Sequence, residues 1–230
     1  MHPTIKIKPH VLILTPLADE QEHLLRSFRQ QVPIGTIEGL RIRCAYIPAR
    51  HTLIAPSGHG KAQSAAQAQY LIDQFASAKL IICAGVAGSL HPELAVGDVV
   101  VGIDTVEHDY QLRFVSRPLP CFPGDAASLR RLGAAVDRLS GFRVIFNTIA
   151  SGNEDIVSTE RAAAIRAQTG AACVAWEGCG VARAAAFSGL TSIEVRAITD
   201  GADKEAPQDF EANVPIAMGN LARMLTHLFA

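Results

Sequence analysis

The sequence predicts an α/β domain, three layers α/β/α around a central mixed, partly barrel-like sheet. Three observations carry that prediction. Short runs at 11–14 and 79–84, the second continuously apolar from Leu80, read as buried strands and alternate with segments of helical periodicity. Five strand ends, after residues 14, 84, 150, 176 and 198, carry Gly, Ser, Thr or acids, which gathers one polar site along a sheet edge. Apolar residues make up 49% of the chain against 19% charged, enough to cover a sheet with helices and to furnish a subunit interface.

The 230 residues are most simply one domain, 1–230, without internal repeats or low-complexity tracts. A formal net charge of −1 argues against nucleic acid or a membrane surface as the main partner. No apolar run approaches the length of a membrane span, and the first ten residues lack a signal-peptide core, so a cytoplasmic protein is expected. The five Cys are widely spaced and no pair has zinc spacing; reduced thiols packed as small hydrophobes are expected, with no metal.

Taken in order, the strand at 11–14 ends at Pro16, and Leu17, Leu24, Leu25 and Phe28 recur at helical spacing. Asp19, Glu20 and Glu22 then fall in the first turns, where acids complement the helix dipole by ~0.3–1 kcal/mol. That is reason enough for any of the three. Hairpin strands are expected at 36–40, 41–48 and 52–55 from the alternation of Arg41-Ile42-Arg43-Cys44-Ala45-Tyr46-Ile47. Ser57-Gly58-His59-Gly60-Lys61 opens an Ala/Gln-rich helix to about Phe75 but fails the P-loop spacing. Its glycines allow close backbone approach, and whether the loop lines a site stays open.

The strand at 79–84 runs into Gly85-Val86-Ala87-Gly88-Ser89-Leu90, which reads as a small-residue turn where a ligand can touch backbone. It matches a dinucleotide fingerprint only loosely, one Gly short and without the following acid. A strand from Val96 ends near Glu107-His108-Asp109, where His108 reads as a satisfied histidine rather than a switch. Three prolines between 113 and 125 mark a loop, either a lid or a partner contact. A helix at 125–139, a strand at 142–150 ending in Ser151-Gly152-Asn153-Glu154-Asp155-Ile156, and a helix from Ser158 to Gly170 follow. A terminal amphipathic helix runs from about Phe210 to Phe229, its Met and Leu serving as core.

Residues 171–201 hold the chemistry. A strand delivers Glu177 at a Gly-flanked turn, a small-residue helix follows, and a second strand delivers Thr199 and Asp200. Two acids at strand ends with Arg196 nearby suit acid–base chemistry on a polar small molecule. A helix cap at Glu177 and a loop cap at Asp200 is the plainer alternative, and spacing alone does not choose.

With these residues in view, the chain resembles the nucleoside phosphorylase/nucleosidase superfamily, closest to the methylthioadenosine/S-adenosylhomocysteine nucleosidases, over about residues 11 to 228. The motifs that carry the resemblance stand in family order: Leu17-x-x-Glu20, Ser57-Gly58-His59-Gly60-Lys61, Gly85-Val86-Ala87-Gly88, Val96-Gly97-Asp98, His108-Asp109, Ser151-Gly152, Trp176-Glu177-Gly178 and Val195-Arg196-Ala197-Ile198-Thr199-Asp200. The resemblance implies a nucleoside phosphorylase-like fold and N-ribosyl cleavage without a cofactor. It implies Asp200 as the acid that protonates the purine at N7, Glu177 as the holder of the ribose hydroxyls, and Glu20 as the base for the attacking water. Arg196 would orient the carboxylates; Val86, Gly88 and Thr199 would contribute to the pocket. A homodimer is also expected.

The departures fall on the base and sugar contacts. Asp155, followed by Ile156, stands where the family has an aromatic residue stacking on the purine; Trp176 replaces the usual Met against the sugar; Ala175 replaces the first acid of a Glu-Met-Glu pattern. The central run has no Arg for phosphate, which favours water as nucleophile over phosphate. An adenosine thioether is the expected substrate. Another nucleoside such as futalosine, phosphorolysis, a non-catalytic nucleoside binder and, more distantly, a dinucleotide-dependent oxidoreductase are the alternatives.

Overall fold

A computed structural model describes residues 7–29 and 34–229; the reading of the first residues as lacking a leader lies mostly outside them. Ten strands and six α-helices are formed by the described residues. Strand β1 (Val11–Thr15) leads into α1 (Ala18–Arg29), and β2 (Gly35–Ile37), β3 (Cys44–Ile47) and β4 (Thr52–Pro56) precede α2 (Gly60–Gln74). Strands β5 (Leu80–Ser89), β6 (Val99–Glu107) and β7 (Cys121–Pro123) lead to α3 (Ala126–Gly133). Then come β8 (Val144–Ser151), α4 (Thr159–Thr169), β9 (Cys173–Ala175), α5 (Gly178–Phe187), β10 (Thr191–Asp200) and α6 (Ala206–Thr226).

The sheet closes on itself. Strand β5 pairs with both β10 and β9, β10 pairs with β6, β6 with β8, and β8 with β9, so five strands complete a ring. From β5 the sheet continues outward through β1, β4, β3 and β2. The mixed sheet with a barrel core expected from the sequence is therefore what forms, closed at the five-strand ring and open at β2.

Strand alternation sorts the core into two faces. Ile13, Ile54 and Ile82 pack with Leu24 and Phe28 of α1 and Met218, Leu221 and Leu225 of α6. Their neighbours Leu12, Leu14, Leu53 and Ile81 pack on the other face with Leu71 and Ile72 of α2 and Val181 and Ala185 of α5. Successive side chains of one strand thus serve opposite helix layers, the period-2 signature of a sheet covered on both sides. Gly180 lets α5 approach α2 closely, because a side chain there would overlap the Lys61 carbonyl and Ser64.

Several boundaries differ from expectation. The alternation at 41–47 yields a strand only from Cys44, where all four residues are buried; the Arg-bearing half finds no partner strand among the described residues. Residues 85–89 continue β5 as a strand instead of turning, since β10 supplies backbone partners through Gly88 and β9 pairs with Gly88 and Ser89. With no βα turn there, the dinucleotide reading loses its basis. The helix expected at 125–139 divides into α3 and a 3-10 turn at Val136–Arg138. Helix α6 starts earlier than Phe210, with Pro207 in its first turn, where a missing N–H costs nothing. Ser158 and Gly170 cap α4 as expected, Ser158 accepting the Arg161 amide and Gly170 taking φ +70°.

Candidate active site

The strand ends open into one cavity of about 400 Å³. Glu20, Val86, Gly88, Asp155, Ile156, Trp176, Glu177, Arg196 and Asp200 all line it. Thr199 does not: its side chain is fully buried and its hydroxyl donates to Asp200 Oδ2 at 2.8 Å. It corrects the expected pocket role to a support behind Asp200, because consecutive strand residues face opposite ways.

Each acid is held differently. Glu20 sits in the first turn of α1 and is 2% exposed; Oε1 accepts the Val86 amide and Oε2 the Leu17 amide, both at 2.8 Å. Burial, opposed by Arg196 and the two amides, raises its pKa from 4.5 to about 7. A dipole-complementing surface acid would not be buried this way. Glu177 takes the position before α5, yet its side chain makes no cap bond to that helix. Its Oε1 accepts the Gly60 amide at 3.1 Å, the first amide of α2, and its Oε2 accepts Arg196 Nη2 at 3.2 Å. The helix it caps is α2, 117 positions away in sequence.

Asp200 closes β10. Its Oδ1 accepts the Ala202 amide at 2.9 Å, so the plain loop-cap reading holds in part, and Ala202 adopts φ +50° in that turn. Burial, the largest cause, with Asp203 and Asp209 adding, raises its pKa. Gly88 faces it so closely that a Cβ there would meet Oδ1 at 2.8 Å. Glycine on β5 is therefore what admits the carboxylate.

Arg196 is 1% exposed and fully engaged: Nε donates to Glu194 Oε1 at 2.8 Å, Nη1 to the Val86 carbonyl at 3.2 Å and Nη2 to Cys83 Sγ at 3.3 Å as well as to Glu177. Gly85 is required beneath it, since a Cβ would lie 2.7 Å from Arg196 Nη1, Glu20 Oε1 and Pro16 alike.

Other lining residues were not legible beforehand. His59 stacks on Trp176, ring centroids 4.3 Å apart and 15° between planes, which brings the 57–61 loop into the site. Phe210 and Pro207 arrive with α6, and Pro16, Ala202 and Glu154 with the loops beside the acids. A lone aromatic in a helix first turn was the available signal for Phe210; its use depends on where α6 folds back. Lys61 is not a lining residue; its ammonium pairs with Glu107 at 2.7 Å and with Asp109. His108 is buried with neither ring nitrogen hydrogen-bonded, contrary to the satisfied histidine expected, and its ring packs against Gly152, where no side chain would fit. Burial, the largest influence, lowers its pKa and favours the neutral ring.

A model of the phosphorylase superfamily matches residues 10–230. The chain belongs to the phosphorylase superfamily. Within that superfamily it is 26% identical over 226 residues to a 5'-methylthioadenosine/S-adenosylhomocysteine nucleosidase of Marinomonas sp., covering 95% of this chain and 97% of that one. It is 31% identical over 209 residues to the aminodeoxyfutalosine nucleosidase of Helicobacter pylori, covering 87% and 89%. The structure of the Neisseria meningitidis 5'-methylthioadenosine/S-adenosylhomocysteine nucleosidase in complex with methylthio-immucillin-A superposes with a TM-score of 0.83 at 26% identity, over 95% and 97% of the two chains. These relatives are nucleosidases, and the chain is an N-glycosyl hydrolase of the same superfamily fold.

Proposed function

We propose that this protein hydrolyses the N-glycosidic bond of a purine nucleoside, an adenosine thioether such as methylthioadenosine or S-adenosylhomocysteine, releasing free base and a ribose derivative. The observation that carries this reading is the convergence of Glu20, Glu177 and Asp200 on one cavity around a guanidinium that is already spent. Glu177, anchored by Gly60 and Arg196, accepts ribose hydroxyls through charge-assisted bonds that strengthen as the sugar gains oxocarbenium character. Asp200, whose pKa burial raises, is the acid that donates a proton to the purine N7 and makes the base a better leaving group. Glu20, titrating near neutrality, takes the proton of the attacking water.

Water is preferred over phosphate for an electrostatic reason. Apart from His59, Arg196 is the one basic side chain among the described lining residues, and every branch of its guanidinium is occupied. Five carboxylic acids, Glu20, Glu154, Asp155, Glu177 and Asp200, share the lining. An oxyanion without a free cation there is poorly stabilised.

A futalosine-type nucleoside is the second reading, favoured by the 31% identity to an aminodeoxyfutalosine nucleosidase and by Asp155 and Trp176 at the substrate contacts. We further propose a single domain over 1–230, a cytoplasmic homodimer and a place in methionine salvage. The exposed Leu112, Phe114 and Val115 of the Pro-rich loop, with Phe187 also exposed, support the dimer.

Base release from methylthioadenosine, S-adenosylhomocysteine and futalosine, each with and without phosphate, tests the proposal. Release of adenine from a thioether without phosphate is expected. Strict phosphate dependence overturns hydrolysis, and tight binding without turnover assigns a binding protein instead.

A further inference from the structure

Glu194 precedes Arg196 by two positions on β10, is 3% exposed, and does not line the cavity. Three elements are shaped around its carboxylate. Thr105 of β6 donates its hydroxyl to Oε2 at 2.7 Å, and Arg196 donates Nε to Oε1 at 2.8 Å. Gly178, the first residue of α5, has to be glycine because a Cβ there would overlap the Glu194 carboxyl group. A buried carboxylate is costly to hold unless it is paired and hydrogen-bonded, and Glu194 is both.

The charges around Arg196 do not balance. Glu194, Glu177 and Glu20 are three buried carboxylic acids about one guanidinium. Glu194 and Glu177 both hold direct bonds from it, whereas Glu20 takes the Val86 and Leu17 amides instead. The charged or titratable groups that act on Glu20 are Arg196 of β10 and Glu177 before α5, with the Cys83 thiol of β5 in the same cluster. Burial pushes that thiol well above its usual range, so it adds no charge. An ionised Glu20 would leave the cluster with two uncompensated negative charges, and Glu194 is the member that has no contact with the cavity.

We infer that Glu194 is a positioning residue: it grips the Arg196 guanidinium in the orientation that serves Glu177 and keeps it from bonding Glu20 directly. Burial holds the Glu20 proton until near neutral pH, and a guanidinium engaged by Glu194 opposes that less than a freed one would, so Glu20 can give up its proton there and accept one from water. The catalytic meaning of this role rests on the proposed hydrolysis; the test of it does not.

The test is the titration of Glu20 itself, followed by the carboxyl ¹³C shift in glutamate-labelled protein and assigned with Glu20→Gln. Glu194→Gln keeps the shape and removes the charge. The Glu20 midpoint is expected to fall by about one unit or more, as for a carboxylic acid that gains an opposite charge at close range. The acid limb of kcat/KM is expected to move with it. Glu194→Met, of similar volume and without the charge, carries the same expectation should the amide variant not fold. An unchanged midpoint in a folded variant overturns the inference, and loss of fold in both variants assigns Glu194 to stability alone and overturns it too. If the wild-type protein releases base from no nucleoside, the proposed reaction fails while the Glu20 titration still decides the role of Glu194.

Discussion

The Gly60 amide donates to Glu177 Oε1 across 3.1 Å, so the carboxylate proposed to hold ribose is seated at the start of a helix it does not belong to. Ser64 reinforces the junction by donating its hydroxyl to the Glu177 carbonyl at 3.2 Å. The positive end of α2 and the Arg196 guanidinium converge on one carboxylate, which is thereby fixed at the cavity wall.

Replacing either proposed catalytic acid by its amide keeps shape and removes function. Glu177→Gln and Asp200→Asn are each expected to lower the rate of base release by at least ~100-fold, the scale of general-acid and transition-state contacts. Steady-state kinetics on the best substrate checks this, and near-wild-type turnover in either variant refutes the assigned roles.

The rate should depend on pH through Glu20. As the base it must be ionised, so kcat/KM is expected to rise with pH through about 7 and to fall below it. A profile flat between about pH 5 and pH 8 on a fully folded enzyme contradicts the assignment of Glu20 as base.

Stability should run the opposite way. The folded protein holds the Glu20 proton up to about 7 whereas the unfolded chain releases it near 4.5, so folding takes up a proton between those values. The associated stability is present below about 4.5 and lost as pH rises to about 7, on the order of 3 kcal/mol in total. Urea unfolding at about pH 5 and pH 8 is expected to show a smaller difference for Glu20→Gln than for wild type. Equal differences would mean that Glu20 titrates normally.

Substrate choice should reside in the residues that depart from the family pattern. Trp176→Ala removes the platform on which His59 stacks, and Asp155→Ala removes one lining carboxyl group. Each is expected to change the ratio of kcat/KM between methylthioadenosine, S-adenosylhomocysteine and futalosine by about tenfold, the value of one or two lost contacts. Ratios that stay constant while absolute rates fall would assign both residues to structure.

Much of the fold was legible in the residues because its signals are local. The apolar run of β5, the Ser158 and Gly170 caps of α4 and the amphipathic pattern of α6 each state their conformation within a few residues. The segment 85–89 reads as a turn because a strand rich in small residues looks like one until β9 and β10 supply its hydrogen bonds. The Arg41 segment failed in the other direction, its alternation having no partner strand to realise it.

For the site, the residues alone supply the chemical inventory: Glu20, Glu177 and Asp200 at strand and helix ends, Arg196 within the last strand, and Gly85 and Gly88 between them. Tertiary structure decided how each is used. Glu177 serves α2 and not α5, Thr199 stands behind Asp200 and outside the cavity, and Glu194, unremarkable as a strand residue, occupies the guanidinium of Arg196. Side-chain identity is a local property, but burial and hydrogen-bond partners depend on which distant elements meet. Those two quantities set whether a carboxyl group holds its proton near neutral pH.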